Sequence, residues 1–274
     1  MKAMSVRSPG GLENLRRVDI DDPGPPKAGQ IRVRLHASSL NYHDYYIATV
    51  PGATADGRIP LADGAGVVEA VGDGVSEFQP GDSVVSCFSQ AWIDGRPPML
   101  GLAAVPGDGL DGYAREVVVC AATAFTRSPK GYTHPEAATL TTAGLTAWRA
   151  LVVEGQIQAG DTVLALGTGG VSIFALQFAK RMGATVIVTS SSDEKLERAR
   201  SLGADQTVNY KSCPEWGQRV LDLTDGRGAD HVIELGGPGT LPQSITAVRL
   251  GGLIALIWVH TGWGGHIPTG ALMA

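Results

Sequence analysis

The chain has 274 residues, a net charge of −5 and 43% hydrophobic residues, enough apolar sequence for one large or two ordinary folded domains. This charge gives no reason to expect binding to nucleic acid or to an anionic membrane, and the longest apolar run, near "GGLIALIWV", is about half of the ~20 residues that a membrane helix needs. The start of the chain has no secretory segment and the three cysteines suggest no disulfide framework, so we expect a cytoplasmic protein.

The first 125 residues contain short strand patterns separated by turn signals. "QIRVRLHASSL" places Ile31, Val33 and Leu35 on one face of a strand. Gly and Asp-Gly turns divide "GAGVVEAVGDGVSEFQPGDSVV", and "GYAREVVVC" supplies a strand over 112–120. Only residues 40–48 suggest a helix, weakly. We therefore predict a mostly antiparallel β domain over residues 1–125.

From residue 126 the pattern changes to alternating strands and helices. Thr133 stands three residues before Glu136, a capping box that predicts the start of a helix. Predicted strands follow at 162–166, 184–189, 206–209, 230–235 and 252–259, and predicted helices at 170–182, 193–202, 214–224 and 240–249. Continuously apolar strands indicate a sheet that is covered on both faces. Residues 126–274 are therefore predicted to form a doubly wound parallel-sheet domain.

The stretch "VLALGTGGVSIFALQFAK" combines an apolar strand, a glycine-rich turn and a helix. Gly167 and Gly169 fit the dinucleotide fingerprint G-x-G-x-x-G, and the small Ser172 stands at its third position. Gly170 adds backbone freedom where the helix begins, and a helix N-terminus offers N–H groups to a phosphate. The alternative is an ordinary turn that needs glycine for positive φ.

The next strand bears on the choice of cofactor. An NAD site usually has a carboxylate at its end, whereas "ATVIVTSSSDEK" has Thr189, Ser190 and Ser191 there. Together with Lys195 these hydroxyls could bind a 2′-phosphate, while Asp193 and Glu194 are expected to cap the following helix. We predict NADPH, with NADH as the less favoured cofactor. Alternatively, Lys195 is a solvated surface lysine.

Motifs along nearly the whole chain resemble the medium-chain dehydrogenase/reductase superfamily, in particular its zinc-free, quinone oxidoreductase-like branch. They are "SLNYHDYY", "DGAGVVEAVGDGVSEFQPGDSVV" and "GYAREVVV" early in the chain, then "AATLTTAGLTAW", "GTGGVSIFALQFAK", "SLGADQTVNY" and "GGLIALI". The resemblance implies a GroES-like catalytic domain followed by a Rossmann domain. It also implies hydride transfer from NADPH to a quinone or an α,β-unsaturated carbonyl.

Zinc-bearing relatives place their metal ligands at positions that correspond here to Asn41, Ala62–Asp63 and the Thr141–Thr142 region. None of these offers the thiolates and imidazole that zinc prefers. The closely spaced four-cysteine structural lobe is missing as well, with only Cys87 in its neighbourhood. We therefore expect no zinc.

The resemblance also implies a set of site residues. Asn41 and Asp44 would face the nicotinamide, with Tyr46 in the substrate cleft, and these three are the candidate catalytic residues. The candidate cofactor-binding residues are Thr146 near the nicotinamide, Gly167, Gly169 and Gly170 at the pyrophosphate, Ser191, Lys195 and Tyr210 around the 2′-phosphate, and Gly236 and Gly237 beside the adenosine.

Several of these residues have structural alternatives. Asn41 and Asp44 could hold a turn, Tyr46 could be a core residue, Thr146 could bond its own helix backbone, and Tyr210 could simply end its strand. Only Asn41, Tyr46 or a backbone N–H is available as donor to a developing oxyanion, and no proton donor stands out.

The end of the chain affects the expected function. Relatives usually continue for some 50–60 residues, with a last Rossmann strand that builds the dimer, so a homodimer is possible here but not assured. Trp258 stands where relatives have a small residue near the nicotinamide amide, and it could intrude on the cofactor or cover a sheet edge. The alternatives to the reductase are a zinc-free alcohol or aldehyde dehydrogenase, a truncated NADPH-binding protein without turnover, and a recruited structural protein.

Overall fold

The computed structural model describes residues 1–93, 95 and 105–273. The chain divides into two compact units, Met1–Thr142 and the part from Ala143 onward. The domain boundary at residues 125/126 stays a prediction. Within the described part, no helix has the length and apolar character needed to span a bilayer.

The first unit contains two antiparallel sheets. In the smaller, β1 (Lys2–Val6) pairs with β2 (Leu15–Asp19). The strands of the larger sheet are β3 (Gln30–Ala37), β4 (Ala65–Val71), β5 (Ser83–Ser86), β6 (Val117–Ala121) and β7 (Phe125–Arg127). They lie in the order β6-β3-β4-β5-β7 with every pair antiparallel, which confirms the predicted antiparallel β architecture.

The core of this unit follows the predicted alternation along β3. Ile31 and Val33 are fully buried, and Leu35 packs against the same cluster. The weakly indicated helix is present as α1 (Tyr42–Thr49). The capping box is present too: α2 (His134–Ala138) begins after Thr133, whose backbone N–H donates to the Glu136 carboxylate at 2.9 Å. Short 3₁₀ turns span Leu12–Asn14 and Ala122–Ala124.

The second unit is built on a parallel sheet. Its strands are β8 (Thr162–Leu166), β9 (Thr185–Ser190), β10 (Gln206–Asn209), β11 (Ala229–Glu234) and β12 (Val248–Leu256). They lie in the order β10-β9-β8-β11-β12, so the winding direction reverses between β8 and β11. The carboxyl ends of strands at such a reversal form the crevice where α/β proteins bind ligands.

Helices connect these strands. A π-helical segment over Leu140–Gly144 leads into α3 (Leu145–Trp148) and a second π-helical segment, Arg149–Glu154. The later helices are α4 (Gly170–Arg181), α5 (Asp193–Ser201), α6 (Trp216–Leu223), α7 (Leu241–Ala247) and α8 (Thr269–Met273). The bounds of α4 to α7 agree with the predicted helices to within a few residues, whereas α8 was not predicted.

Both faces of the parallel sheet are covered. Val163 and Ala165 of β8 belong to one buried cluster with Leu176 of α4, whereas Leu164 lies in a second cluster with Val220 of α6. Neighbouring residues of a strand point to opposite faces, so the two clusters lie on opposite sides of the sheet. This confirms the predicted doubly wound fold.

The last parallel strand begins earlier than predicted, at Val248 rather than residue 252. Ala229 pairs with Val248 and His231 with Leu253, so β12 carries extra residues that bulge out of register with β11. Gly251 has a φ of 69° within this irregularity. A glycine pair inside a strand is typical of such a bulge.

Candidate active site

The glycine turn, Gly167–Gly170, lies between β8 and α4 at the reversal of strand order. Gly167 has a φ of 76°, the region that glycine adopts without strain. Gly169 is the N-cap of α4 with extended backbone angles (φ −76°, ψ 177°). A Cβ atom placed on either residue would meet no atom within 4 Å. The turn therefore leaves open space at a helix N-terminus, which fits a pyrophosphate.

Ser172 explains the departure from the glycine fingerprint. Its side chain is buried, and its Oγ donates to the Leu166 carbonyl oxygen at 2.7 Å. The hydroxyl therefore ties the first turn of α4 to the end of β8. A Cβ on Gly170 would lie 3.1 Å from the Ala143 Cβ, so the first residue of α4 also packs closely against Ala143. A small residue is needed at the third position, and serine meets that need.

The hydroxyl groups after β9 are less available than predicted. Thr189 and Ser190 are buried, and the Thr189 hydroxyl accepts a 3.4 Å hydrogen bond from the Gly167 backbone N–H. Ser191 is half-buried. Lys195 is exposed, and no carboxylate of the described residues forms an ion pair with it. Ser191 and Lys195 therefore remain the candidates for a 2′-phosphate.

The cap of α5 differs from the prediction. Ser192 is the N-cap, and its Oγ accepts from the Lys195 backbone N–H at 3.4 Å. Asp193 lies in the first turn, where its carboxylate accepts from the Asn209 side chain at 2.7 Å. Serine is about as good an N-cap residue as aspartate. The N-cap of α5 therefore lies one residue before the predicted Asp193. Tyr210, 42% exposed, follows directly after β10.

A buried carboxylate organises the loop after β11. Glu234 is fully buried and its Oε1 accepts from the backbone N–H groups of Gly236 and Gly237, at 2.6 and 3.0 Å. Its carboxylate also accepts from the hydroxyls of Thr240 and Ser244. This network could not be seen in the sequence, where Glu234 only ends an apolar strand.

The chain's own packing requires both glycines of that loop. A Cβ on Gly236 would lie 2.2 Å from the Thr240 Oγ1, and one on Gly237 would lie 2.8 Å from the Val259 Cα. Their predicted role beside the adenosine stays a prediction. Trp258 lies after β12 in an aromatic group, its ring centroid 5.9 Å from that of Trp263 and 6.4 Å from the His260 ring.

Thr146 lies in α3 and is half-buried. Among the described residues, no hydrogen-bond partner is found for its hydroxyl, so it does not bond its own helix backbone. The hydroxyl thus remains available for the cofactor contact that the resemblance implies, which itself stays a prediction.

In the first unit, polar residues from distant parts of the sequence gather around one carboxylate. We call this group the Asp63 cluster; its members are Ser39, Asn41, Asp44, Asp63 and Thr142. Asp63 is 0% exposed. Its carboxylate accepts from the Asn41 Nδ2 at 2.8 Å, from the Thr142 Oγ1 at 2.6 Å and from the Ser39 hydroxyl. Burial raises the pKa of Asp63 to about 6, against the lowering effect of these three donors.

Asn41 joins Asp63 to the second carboxylate of the cluster. Its backbone N–H donates to the Asp44 Oδ2 at 2.8 Å, and its Nδ2 lies 3.2 Å from the same oxygen. Asp44 is buried, accepts from the Ala62 backbone N–H at 3.0 Å, and has a pKa raised by that burial. Both hydrogens of the Asn41 amide therefore point to carboxylates, which leaves none for an oxyanion. Tyr46, half-buried one turn along α1, is the remaining side-chain candidate.

The Asp63 cluster includes Asn41, Asp63 and Thr142, which the resemblance sets against zinc-ligand positions, and the donors of the cluster do not fit zinc. It offers an amide, hydroxyls and two carboxylates that already accept hydrogen bonds, without thiolate or imidazole. Across residues 1–93, 95 and 105–273, no group of three His, Cys, Asp or Glu side chains could hold a metal ion. We therefore derive no chemical step through zinc.

Two family models match the chain. The alcohol dehydrogenase GroES-like domain matches residues 27–130, and the zinc-binding dehydrogenase model matches residues 170–268. The chain is 44% identical over 251 residues to a zinc-type alcohol dehydrogenase-like protein of Schizosaccharomyces pombe, covering 90% of this chain and 72% of that protein. It is 32% identical over 262 residues to the 2-haloacrylate reductase of a Burkholderia species, covering 92% of this chain and 72% of the reductase.

A solved structure is similar over nearly the whole chain. It is the quinone oxidoreductase of Pseudomonas syringae pv. Tomato DC3000, which is 32% identical and superposes with a TM-score of 0.81. The similarity covers 99% of this chain and 78% of the quinone oxidoreductase.

Proposed function

Because this chain belongs to the medium-chain dehydrogenase/reductase superfamily of NAD(P)H-dependent oxidoreductases, we propose that it reduces a quinone or an α,β-unsaturated carbonyl with NADPH and without zinc. The observation that supports the zinc-free proposal is the Asp63 cluster, whose amide, hydroxyl and hydrogen-bonded carboxylate groups do not form the thiolate and imidazole set that zinc prefers. The named activities of the Burkholderia and Pseudomonas relatives support this acceptor class.

Reduced nicotinamide, when bound, supplies a hydride from C4 to an electron-poor carbon. The glycine turn would hold the pyrophosphate with backbone N–H groups at the start of α4. Ser191, Lys195 and Tyr210 would hold the 2′-phosphate, and the Thr146 hydroxyl would contact the nicotinamide side. Quinones and enones are already activated, so they need no metal to polarise them.

The protein must also stabilise charge that develops on the acceptor oxygen. Since both amide hydrogens of Asn41 are taken by Asp44 and Asp63, we assign this task to Tyr46 or to a backbone N–H. We place the protein in the cytoplasm, because Cys87, Cys120 and Cys213 are free thiols, as a reducing compartment maintains them.

Titration of the purified protein with NADPH and NADH, followed by turnover assays with quinones and enones, tests the proposal. We expect tighter binding of NADPH and reduction of at least one acceptor of these classes. Binding without turnover would favour the non-catalytic alternative, and oxidation of alcohols with NADP⁺ alone would favour the dehydrogenase alternative. Metal analysis should find well under one zinc per chain, and stoichiometric zinc would overturn the zinc-free assignment.

A further inference from the structure

We propose that Asp63 is a positioning residue of this site: its carboxylate anchors Asn41, and through Asn41 it sets where α1 begins and where Tyr46 lies. The inference rests on the proposed function for the role of Tyr46. The anchoring itself is a property of the first unit and can be tested without turnover.

Asp63 is hydrogen-bonded to side chains that are distant from it in the sequence. Its three donors, Ser39, Asn41 and Thr142, are separated from it by 24, 22 and 79 residues in sequence. The carboxylate therefore connects the segment before α1 and the π-helical segment Leu140–Gly144 to the residues that precede β4. Each of the three side-chain donors offsets part of the cost of burying this carboxylate, so losing one of them is unfavourable.

Asn41 lies at the start of α1. It is the N-cap of α1, and its backbone N–H donates to the carboxylate of Asp44, the third residue of the capping box. Asp44 in turn accepts from the Ala62 backbone N–H, next to Asp63. The start of α1 is thus held from two sides by neighbouring residues, Ala62 and Asp63. Tyr46 follows on the same short helix, so a shift of its first turn moves Tyr46 as well.

Two substitutions at Asp63 distinguish the effect of the side chain's shape from the effect of its charge. Asp63→Asn keeps the size of the side chain: its oxygen can accept from Ser39 and Asn41, and its NH2 can donate to Thr142. Asp63→Ala removes the anchor. We expect Asp63→Ala to lower kcat on the order of 10- to 100-fold, as misplacement of a reacting group does, while Asp63→Asn stays within about threefold. A large loss in Asp63→Asn would overturn the positioning role, because it would assign the effect to the charge.

A double-mutant cycle with Tyr46→Phe tests the route of the effect. If Asp63 acts through Tyr46, the double variant Asp63→Ala/Tyr46→Phe is no slower than the slower single variant. Additive losses, or no loss in Tyr46→Phe alone, would overturn the proposed route. Asp230→Asn is the matched control. Asp230 is also a buried, hydrogen-bonded aspartate but lies in the second unit, so its substitution should affect stability and leave kcat unchanged.

Hydrogen exchange of the α1 backbone amides provides a readout that needs no activity. We expect faster exchange of these amides in Asp63→Ala, measured on protein that is folded by circular dichroism, and wild-type exchange in Asp63→Asn. Unchanged exchange in Asp63→Ala would overturn the anchoring. If the wild-type protein reduces no quinone or enone, the proposed function fails, while the exchange experiment still decides whether Asp63 anchors α1.

Discussion

The glycine turn and the Asp63 cluster contrast in what they are made of. The turn presents backbone and open space: neither Gly167 nor Gly169 has an atom within 4 Å of where a Cβ would lie. The cluster consists of side chains whose polar atoms bond one another around a carboxylate that is 0% exposed. Binding at the turn therefore depends on the absence of side chains at Gly167 and Gly169. The structure of the cluster depends on the hydrogen bonds between its side chains.

The largest expected effect is at the turn. Gly169→Asp keeps a backbone conformation that any residue adopts and adds a favourable N-cap, so stability should stay the same or rise by a few tenths of a kcal/mol. The carboxylate would repel a pyrophosphate, and like charges at about 4 Å cost roughly 4 kcal/mol at an effective dielectric constant of 20. Calorimetry should therefore find NADPH and NADH binding weaker by at least about 100-fold.

Gly169→Ser is the matched variant for that experiment. Serine is also a good N-cap but is uncharged, so its effect on affinity should be much smaller. Equal affinity in the glycine and aspartate forms would mean that no phosphate binds at this turn, and the contrast between the two regions would disappear.

The second effect is on stability at the cluster. Asp63 has a native pKa raised to about 6 from an ordinary value of 3.8, so the native state binds this proton more tightly than the unfolded state does. Its contribution is fully present below pH 3.8 and is lost as pH rises through about 6. The wild-type protein should lose on the order of 2–3 kcal/mol across that window relative to Asp63→Asn.

Urea denaturation of both proteins between pH 4 and pH 8 measures this difference. At pH 8 the asparagine variant should be at least as stable as the wild type. Asp44, whose pKa burial also raises, is present in both proteins and changes the shape of both curves in the same direction. A difference between the two curves that does not vary with pH would contradict the raised pKa of Asp63.

The third effect concerns the phosphate end of the cofactor. Lys195→Ala should weaken NADPH binding by roughly 1.5–3 kcal/mol and NADH binding much less, because it removes a charge-assisted contact to the 2′-phosphate. Lys130→Ala, at another exposed lysine, is the control and should change neither affinity. Equal losses of affinity for both cofactors would mean that Lys195 is a solvated surface lysine that does not bind the 2′-phosphate.

The smallest effect is at Ser172. Replacing it with glycine restores the fingerprint spacing but removes the hydrogen bond to Leu166 and adds a flexible residue to α4. We expect a loss of about 1–2 kcal/mol in unfolding free energy with little change in NADPH affinity. Tighter binding in Ser172→Gly would mean that serine impairs the loop after all.

The features that could be predicted from the sequence are those that depend on residues adjacent in the chain. The strand Thr162–Leu166, the glycine turn and the Thr133 capping box each depend on a few adjacent residues, and each is found where it was expected. The Asp63 cluster is different, because its members lie up to 79 residues from Asp63 in the sequence. Asp63 itself was seen only as a position where zinc-bearing relatives differ.

The cap of α5 and the start of β12 show a second reason for failure. Ser192 and Asp193 are both good capping residues, and the structure has Ser192 as the N-cap. Similarly, the last strand was predicted to begin at residue 252, whereas Gly251 and Gly252 lie in a bulge inside β12, which pairs with β11. Local preference was ambiguous in both cases, and contacts with distant residues resolved it.

The buried Glu234 carboxylate affects where an anionic ligand can bind in the second unit. Two loops flank the point where the strand order reverses, one after β8 and one after β11. In the second loop, the Glu234 carboxylate already accepts from the backbone N–H groups of Gly236 and Gly237, and so it occupies the place of a bound anion. These two N–H groups already have an anionic partner, so of the two loops only the one after β8 leaves its glycine turn open for a phosphate.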